Sequence, residues 1–209
     1  MIEGPVIVVA TRNAGKAKEF AYALAPLGKQ VQSLADYPDV PEVVEDGETF
    51  AENARKKAKT VGDALGRAVL ADDSGLCVDQ LDGAPGVYSA RFAGEGASDE
   101  DNNEKLLAEL EKRRLGEDTE QPLLSTARFV CHLALYDPAG GQFVEASGTA
   151  EGWITSVPAG GGGFGYDPLF YLPAYEKTFA ELTLEEKQAV SHRGAALRAL
   201  AEKLSGALK

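Results

Sequence analysis

Apolar runs and stripes divide the chain into elements. Pro5-Val-Ile-Val-Val-Ala10 is a continuous β-branched run, as expected of a central strand buried on both faces. It leads into Thr11-Arg-Asn-Ala-Gly-Lys16, and a helix follows in which Ala17, Phe20, Ala21 and Leu24 share one face and Pro26 lies just past the end. Gln30 to Ser33 reads as a second strand, and the Pro-rich, acidic stretch Asp36 to Glu45 as loop. Thr49 and Glu52 form a capping box for a helix whose stripe is Phe50, Ala54, Ala58, Val61 and Leu65. Ala68 to Ala71 predicts a short buried strand running into Asp72-Asp73 and a Ser74-Gly75 turn.

The second half follows the same logic. Leu81 to Gly86 is a turn cluster, and Tyr88 to Phe92 is a short strand or the edge of a cleft. Ser98 caps a helix with Asp99, Glu100 and Asp101 in its first turn and Lys112-Arg-Arg114 in its last. Leu106, Leu107, Leu110 and Leu115 supply its buried face, Gly116 stops it, and Glu117 to Pro122 is loop. Thr126 to Tyr136 and Gln142 to Thr149 are strands joined by a turn at Asp137 to Gly141. After the glycine-rich segment 159–168 comes the apolar run Leu169 to Leu172. Thr183 and Glu186 cap the last helix, lined by Lys187, Val190, Gly194, Leu197, Ala201 and Leu204, unless Ser191 breaks it and starts another.

Four stretches carry chemistry. Strand, polar Gly-containing loop and helix at residues 6–24 form a phosphate-cradle arrangement, where loop amides and a helix N-terminus face an anion and Lys16 adds charge; the spacing is not that of a Walker loop. Lys57 falls about 20° from Phe50 on the helical wheel, inside the apolar stripe, with Asn53 at its edge. An inward lysine either snorkels out or meets an anion. Asp72-Asp73 follows an apolar strand, and carboxylates seldom do so for packing reasons. The plain alternative is a turn opened by Asp-Ser-Gly. Ala159-Gly-Gly-Gly-Gly-Phe-Gly-Tyr-Asp-Pro168 combines free backbone with flat faces from Phe164 and Tyr166 and the acceptors of Asp167, which suits a wall that stacks on a planar ring. His132 is a lone strand histidine and is read as packed or surface.

Composition narrows the classes. With 209 residues the chain can bury a real core, and no repeat or boundary stands out, so residues 1–209 read as one domain. A net charge of −12 argues against non-specific nucleic-acid or acidic-membrane binding. It permits a small anionic ligand, because screening over ~8 Å lets a local basic cluster outweigh distant acids. Cys77 and Cys131 lack metal-ligand spacing and look like packed thiols in a reducing compartment. The first ten residues hold no signal-peptide pattern and no membrane span, so cytoplasm is expected.

Seven motifs then fall in one order: Thr11-x-Asn13-x-x-Lys16, Phe50-x-Glu52-Asn53-Ala54, Ala71-Asp-Asp-Ser-Gly-Leu76, Gly83-Ala-Pro-Gly86, Tyr88-Ser-Ala-Arg91, Gly162-Gly-Phe-Gly-Tyr-Asp-Pro168 and Ser191-His-Arg-Gly194. In this the chain resembles bacterial members of the inosine/xanthosine triphosphate pyrophosphatase family over essentially its whole length. The resemblance implies a long twisted mixed β-sheet with flanking helices, an α/β fold in two lobes around a central active-site cleft. It implies a Mg2+-dependent homodimeric hydrolase that cuts ITP, dITP and XTP to the monophosphate and pyrophosphate, keeping these bases out of DNA and RNA. By position, Asp73 matches the proton acceptor and Mg2+ ligand, and Ser74 a substrate contact. Thr11, Arg12, Asn13, Ala14, Gly15, Lys16, Asn53 and Lys57 match the triphosphate site. Phe164, Gly165, Tyr166, Asp167, Lys187, His192 and Arg193 match the nucleotide and base site. One position departs: many relatives carry an acidic metal ligand where this chain has Val44, and Glu45 is assigned in its place, with Asp46 the other neighbour. Asp72 is assigned a supporting role.

The residues themselves fit this division. Lys16, Lys57, Lys187, Arg193 and Mg2+ offset a triphosphate locally, and Mg2+ needs only one or two carboxylates beside phosphate oxygens. Water attacks the α-phosphorus with Asp73 as base, and Ser74 is a contact rather than a nucleophile. Donors from His192 or Arg193 favour a 6-oxo purine over adenine. The rivals are a related pyrophosphatase for dTTP, UTP or modified pyrimidines, and a nucleotide-binding regulator without turnover.

Overall fold

The computed structural model describes residues 5–113 and 122–206. Arg114, Leu115, Gly116 and the loop predicted from Glu117 lie outside the described residues, save Pro122. Seven strands form one mixed sheet in the order β2-β1-β3-β4-β5-β6-β7. They are β1 Val6–Val9, β2 Gln30–Ser33, β3 Val69–Val78, β4 Leu123–Asp137, β5 Gln142–Thr155, β6 Phe170–Leu172 and β7 Lys177–Thr178. β1 runs parallel to both β2 and β3, and β6 runs antiparallel to β5 and β7. The helices are α1 Ala14–Leu24, α2 Phe50–Leu65, α3 Asp99–Arg113, α4 Leu184–Val190 and α5 His192–Gly206. No helix among the described residues is long and apolar enough to cross a membrane.

The chain divides into two compact units. The first comprises Met1–Asp73, Cys131–Gly148 and Gln188–Lys209, and the second Ser74–Val130 and Thr149–Lys187. In the first unit, strand alternation builds two separate cores. Ile7 and Val9 of β1, Leu70 of β3 and Cys131, Leu133 and Leu135 of β4 pack with Phe20 and Leu24 of α1 and Leu197 and Leu200 of α5. The intervening residues, Val8 and Ala10, Val69 and Ala71, Ala134 and Tyr136, pack with Ala54, Ala58 and Val61 of α2. The unbroken apolar run of β1 is thus two interleaved stripes, each meeting its own helices. In the second unit Phe129 of β4, Phe170 of β6 and Phe179 form an aromatic cluster with ring centroids 4.7–5.7 Å apart.

The structure changes several expectations and decides one alternative left open. β3 does not end at Ala71 but continues through Asp72-Asp73-Ser-Gly to Val78, because its ladder outlasts the local turn preference. Residues 86–91 form a 3-10 turn rather than a strand. The last helix does break at Ser191, whose Oγ accepts the Gly194 N–H at 3.1 Å. Gly194 permits the break, since a Cβ there would lie 1.9 Å from the Gln188 carbonyl oxygen. The hairpin strands β4 and β5 are both longer than their patterns predict.

Candidate active site

The extension of β3 decides the geometry of the carboxylate pair. In a strand, neighbouring side chains point to opposite faces. Asp72 shares the side of Leu70 and meets α1 and α5; Asp73 shares the side of Val69 and Ala71 and meets α2.

On the α1/α5 side, Asp72 is fully buried and ringed by cations. Its Oδ2 takes Lys16 Nζ at 3.0 Å and Arg193 Nη2 at 3.1 Å. Arg193, 1% exposed, also gives Nη1 to the buried Glu19 of α1. Burial alone would raise the Asp72 pKa, but Lys16, Arg193 and Lys57 outweigh it and hold the carboxyl well below the usual range. Burial opposes the charge of Arg193, but Asp72 and Glu19 outweigh it and raise its pKa. A buried guanidinium needs carboxylates, so both terminal nitrogens are engaged by acids. That differs from the base contact that the resemblance implies for Arg193.

On the α2 side, Asp73 is also buried, but its company is mixed. Asn53 Nδ2 donates to its Oδ2 at 2.9 Å, while Asn53 Oδ1 accepts the Gly47 N–H at 2.7 Å, tying the preceding loop to the site. Lys57 Nζ donates to the Asp72 carbonyl at 2.9 Å and ion-pairs with Glu45. The lysine therefore stays inside the apolar stripe instead of snorkelling out; burial opposes its charge, and Asp72, Glu45 and Asp73 outweigh that and raise its pKa. Burial and the negative charge of Glu45 push Asp73 up to about 6, against the opposing pull of Lys57, Asn53 and Lys16. α2 is set by its capping box, in which Thr49 Oγ1 accepts the Glu52 N–H and Glu52 accepts the Thr49 N–H. Among the described residues no group of three or more His, Cys, Asp or Glu gathers as a metal site. Asp73 beside Glu45 is a two-carboxylate pair, and their mutual repulsion is what a divalent cation relieves. Val44 is exposed, and Asp46 is an exposed partner of Lys56.

The phosphate loop is held by its own hydrogen bonds. Asn13 caps α1 by accepting the Lys16 N–H at 2.9 Å, and Thr11 Oγ1 accepts the Asn13 N–H at 3.1 Å. α1 starts at Ala14, so the Ala14 and Gly15 amides belong to its anion-favouring end. Arg12 donates to the carbonyls of Leu34 and Val40 at 3.2 and 2.8 Å, bracing the loop that follows β2. His192 opens α5 and is buried, and its carbonyl would lie 2.4 Å from any Cβ on Gly148.

In the second unit, Lys187 ion-pairs with Asp167 at 2.5 Å and sits 4.9 Å from the Phe164 ring centroid. Asp167 Oδ2 also accepts the Phe164 N–H at 2.9 Å. Gly163 is required, since a Cβ there would lie 2.0 Å from that oxygen and φ is +75°. Gly165 gives its N–H to Asp99 at 2.6 Å and accepts from Asn103 at 3.0 Å. Tyr166 does not offer a flat face as its residue type suggests. Its ring is 4% exposed and its hydroxyl donates to the Ser89 carbonyl at 2.8 Å, so it anchors the loop while Phe164 remains half-buried. Ser74 is half-buried in β3. Glu19 and Asn103 carry no role in the sequence reading, Asp99 appears there only as a first-turn acid of α3, and Ser89 only within the motif Tyr88-Ser-Ala-Arg91. Glu19 follows Lys16 by three residues in α1, a helical spacing that places it on the same side; the side chains of the other three bond backbone atoms, a role that residue type does not reveal.

A buried, raised carboxylate beside two lysines and a helix N-terminus defines a site for hydrolysing an anionic ester or anhydride. Comparison with known proteins agrees. The family model of the Ham1 family matches residues 7–203. The chain is 55% identical over 194 residues to the dITP/XTP pyrophosphatase of Exiguobacterium sp. (strain ATCC BAA-1283 / AT1b), covering 93% of this chain and 94% of that one. It is 54% identical over 198 residues to the dITP/XTP pyrophosphatase of Geobacter sulfurreducens, covering 95% and 96%. Among solved structures, a HAM1 protein from Coxiella burnetii is 38% identical with a TM-score of 0.82, covering 97% of this chain and 100% of that one. The Staphylococcus aureus Ham1 protein is 41% identical with a TM-score of 0.78, covering 96% and 98%. The chain belongs to the Ham1 family.

Proposed function

We propose that this chain hydrolyses the triphosphates of deaminated purines, ITP, dITP and XTP, to the monophosphate and pyrophosphate, keeping them from incorporation into DNA and RNA. The observation that carries the reading is Asp73, buried on the α2 side between Asn53, Lys57 and Glu45 with its pKa raised to about 6. A base of that strength takes a proton readily near neutral pH. The names of the relatives, dITP/XTP pyrophosphatase, support the substrate class.

In this reading Lys16, Lys57 and the amides at the start of α1 hold the triphosphate. Asp73 accepts the proton of a water whose oxygen bonds to the α-phosphorus as the bridge to the β-phosphate breaks and pyrophosphate leaves. Asp73 and Glu45 would hold Mg2+, which would supply positive charge against the phosphate oxygens. Phe164 stacks on the purine, and the loop through Asp167, with Lys187 and His192, reads its edge. Arg193 serves by keeping Asp72 ionised. A homodimeric state and a cytoplasmic location are further expectations that rest on the resemblance.

The test is release of pyrophosphate from ITP, dITP, XTP, GTP, ATP and dTTP with Mg2+. The first three lead by kcat/KM if the reading holds. A preference for dTTP, or no turnover with any of the six, rejects it.

A further inference from the structure

The turn at residues 86–91 is held from several directions, and Ser89 is where they meet. Ser89 is buried. Its Oγ accepts the backbone N–H of Leu76 in β3 at 2.9 Å and donates to the Gly86 carbonyl at 2.6 Å. Its own carbonyl accepts the Tyr166 hydroxyl at 2.8 Å. Leu76 lies three residues beyond Asp73 on the same strand. Tyr166 lies in the loop whose Phe164 and Asp167 gather around Lys187. The far side of the turn is fixed by α3. Asn102 donates to the Ala90 carbonyl at 3.3 Å and accepts the Ala93 N–H at 2.8 Å, and the same helix holds Gly165 through Asp99 and Asn103.

The loop 164–167 is therefore referenced to β3 by a short chain of hydrogen bonds: Tyr166 to the Ser89 carbonyl, and the Ser89 hydroxyl to Leu76. We propose that Ser89 is a positioning residue for base selection, fixing through Tyr166 where the Phe164–Asp167 segment stands against β3. The inference rests on the reading of that segment as the wall that receives the base. Discrimination between purines depends on donors and acceptors held in register with the ring edge, whereas attraction of a triphosphate by lysines tolerates small displacements. Removing the Ser89 hydroxyl leaves the buried Leu76 N–H without its acceptor, so the turn shifts and Tyr166 moves with it.

The experiment measures kcat/KM for ITP, XTP, GTP and ATP in the wild type, Ser89→Ala, Tyr166→Phe and the double variant. Each single substitution should lower the ITP:ATP ratio about five- to tenfold, mainly through the KM for ITP. The double variant should lose less than the product of the two, because both act on one connection. Equal losses on all four nucleotides, or effects on the ratio that multiply, overturn the proposal. Should Ser89→Ala fail to fold, the ratio in Tyr166→Phe decides alone, since it loses only a hydroxyl. A wild type with no preference for ITP over ATP removes the base-wall reading and this proposal with it. A selective wild type whose ratio survives both substitutions removes the Ser89 proposal alone.

Discussion

Asp72 and Asp73 are adjacent, both carboxylates and both buried, yet the two sides of β3 treat them in opposite ways. Toward α1 and α5, Asp72 finds Lys16 and Arg193, and the second charge of the group, Glu19, is itself spent on Arg193. Toward α2, Asp73 finds Asn53 and Lys57 but also Glu45, a second negative charge. One carboxyl is held firmly ionised, while the other is pushed up to about 6. When two titratable groups have their pKa values driven apart by their surroundings, the environment has assigned their roles. Asp72 organises charge, and Asp73 is poised to exchange a proton.

The comparison is broken most directly by neutralising each member. Asp73→Asn should lower turnover by about 10²–10⁴-fold, because the proton acceptor and one of the two carboxylates proposed for Mg2+ are lost, while Lys16, Lys57 and the α1 amides still bind ITP. Steady-state kinetics beside a binding isotherm measures this, and near-wild-type turnover would return Asp73 to a structural role. Asp72→Asn should act on the fold instead. It leaves Arg193 and Lys16 facing a neutral group in a buried place, at a cost of about 3–5 kcal/mol. Denaturant unfolding checks this, and a variant as stable as the wild type would mean that the cations there do not depend on Asp72.

How much of this could be read from the chain varies with the kind of signal. α2 was legible to the residue, because a capping box and a period of 3.6 are local, and the same wheel placed Lys57 on the inner side. The mixed sheet was legible mainly through the family resemblance. The end of β3 is not legible locally, since Asp-Ser-Gly favours a turn and only the sheet ladder overrides it. In a continued strand, alternation by itself sends Asp72 and Asp73 to different helices. Arg193 could be placed by motif but not by partner, because Glu19 is 174 positions away in sequence. Tyr166 looks like a stacking face by residue type, which says nothing about which side of a loop turns inward.

A third expectation concerns stability without metal. The folded pKa of Asp73 is raised from 3.8 to about 6, so its contribution is fully present below about pH 4 and is lost as pH rises to about 6. Asp72, lowered, works the other way, and its contribution is lost as pH falls below the ordinary carboxylate range. At pH 7 in chelator, Asp73→Asn should therefore be more stable than the wild type by up to about 3 kcal/mol. The gap should open between pH 4 and 6 and stay constant above that. Mg2+ should narrow it, by binding the wild-type carboxylates and only weakly the variant. A gap that does not vary from pH 4 to 7 would show that burial and Glu45 do not raise Asp73.

The smallest expected effect sharpens the role of the α2 side. Lys57 is committed to the Asp72 carbonyl and to Glu45 within the folded protein. If its charge is there to meet a polyphosphate, Lys57→Ala should raise the Kd for ITP about 10–100-fold, the range of a lost charge-assisted hydrogen bond. The Kd for IMP should change much less, because one phosphate leaves most of that charge unmatched. Calorimetric titration of both ligands separates the two cases. Equal losses would mean that Lys57 acts chiefly as the counterion of Glu45, and would leave Lys16 and the α1 amides to hold the phosphates.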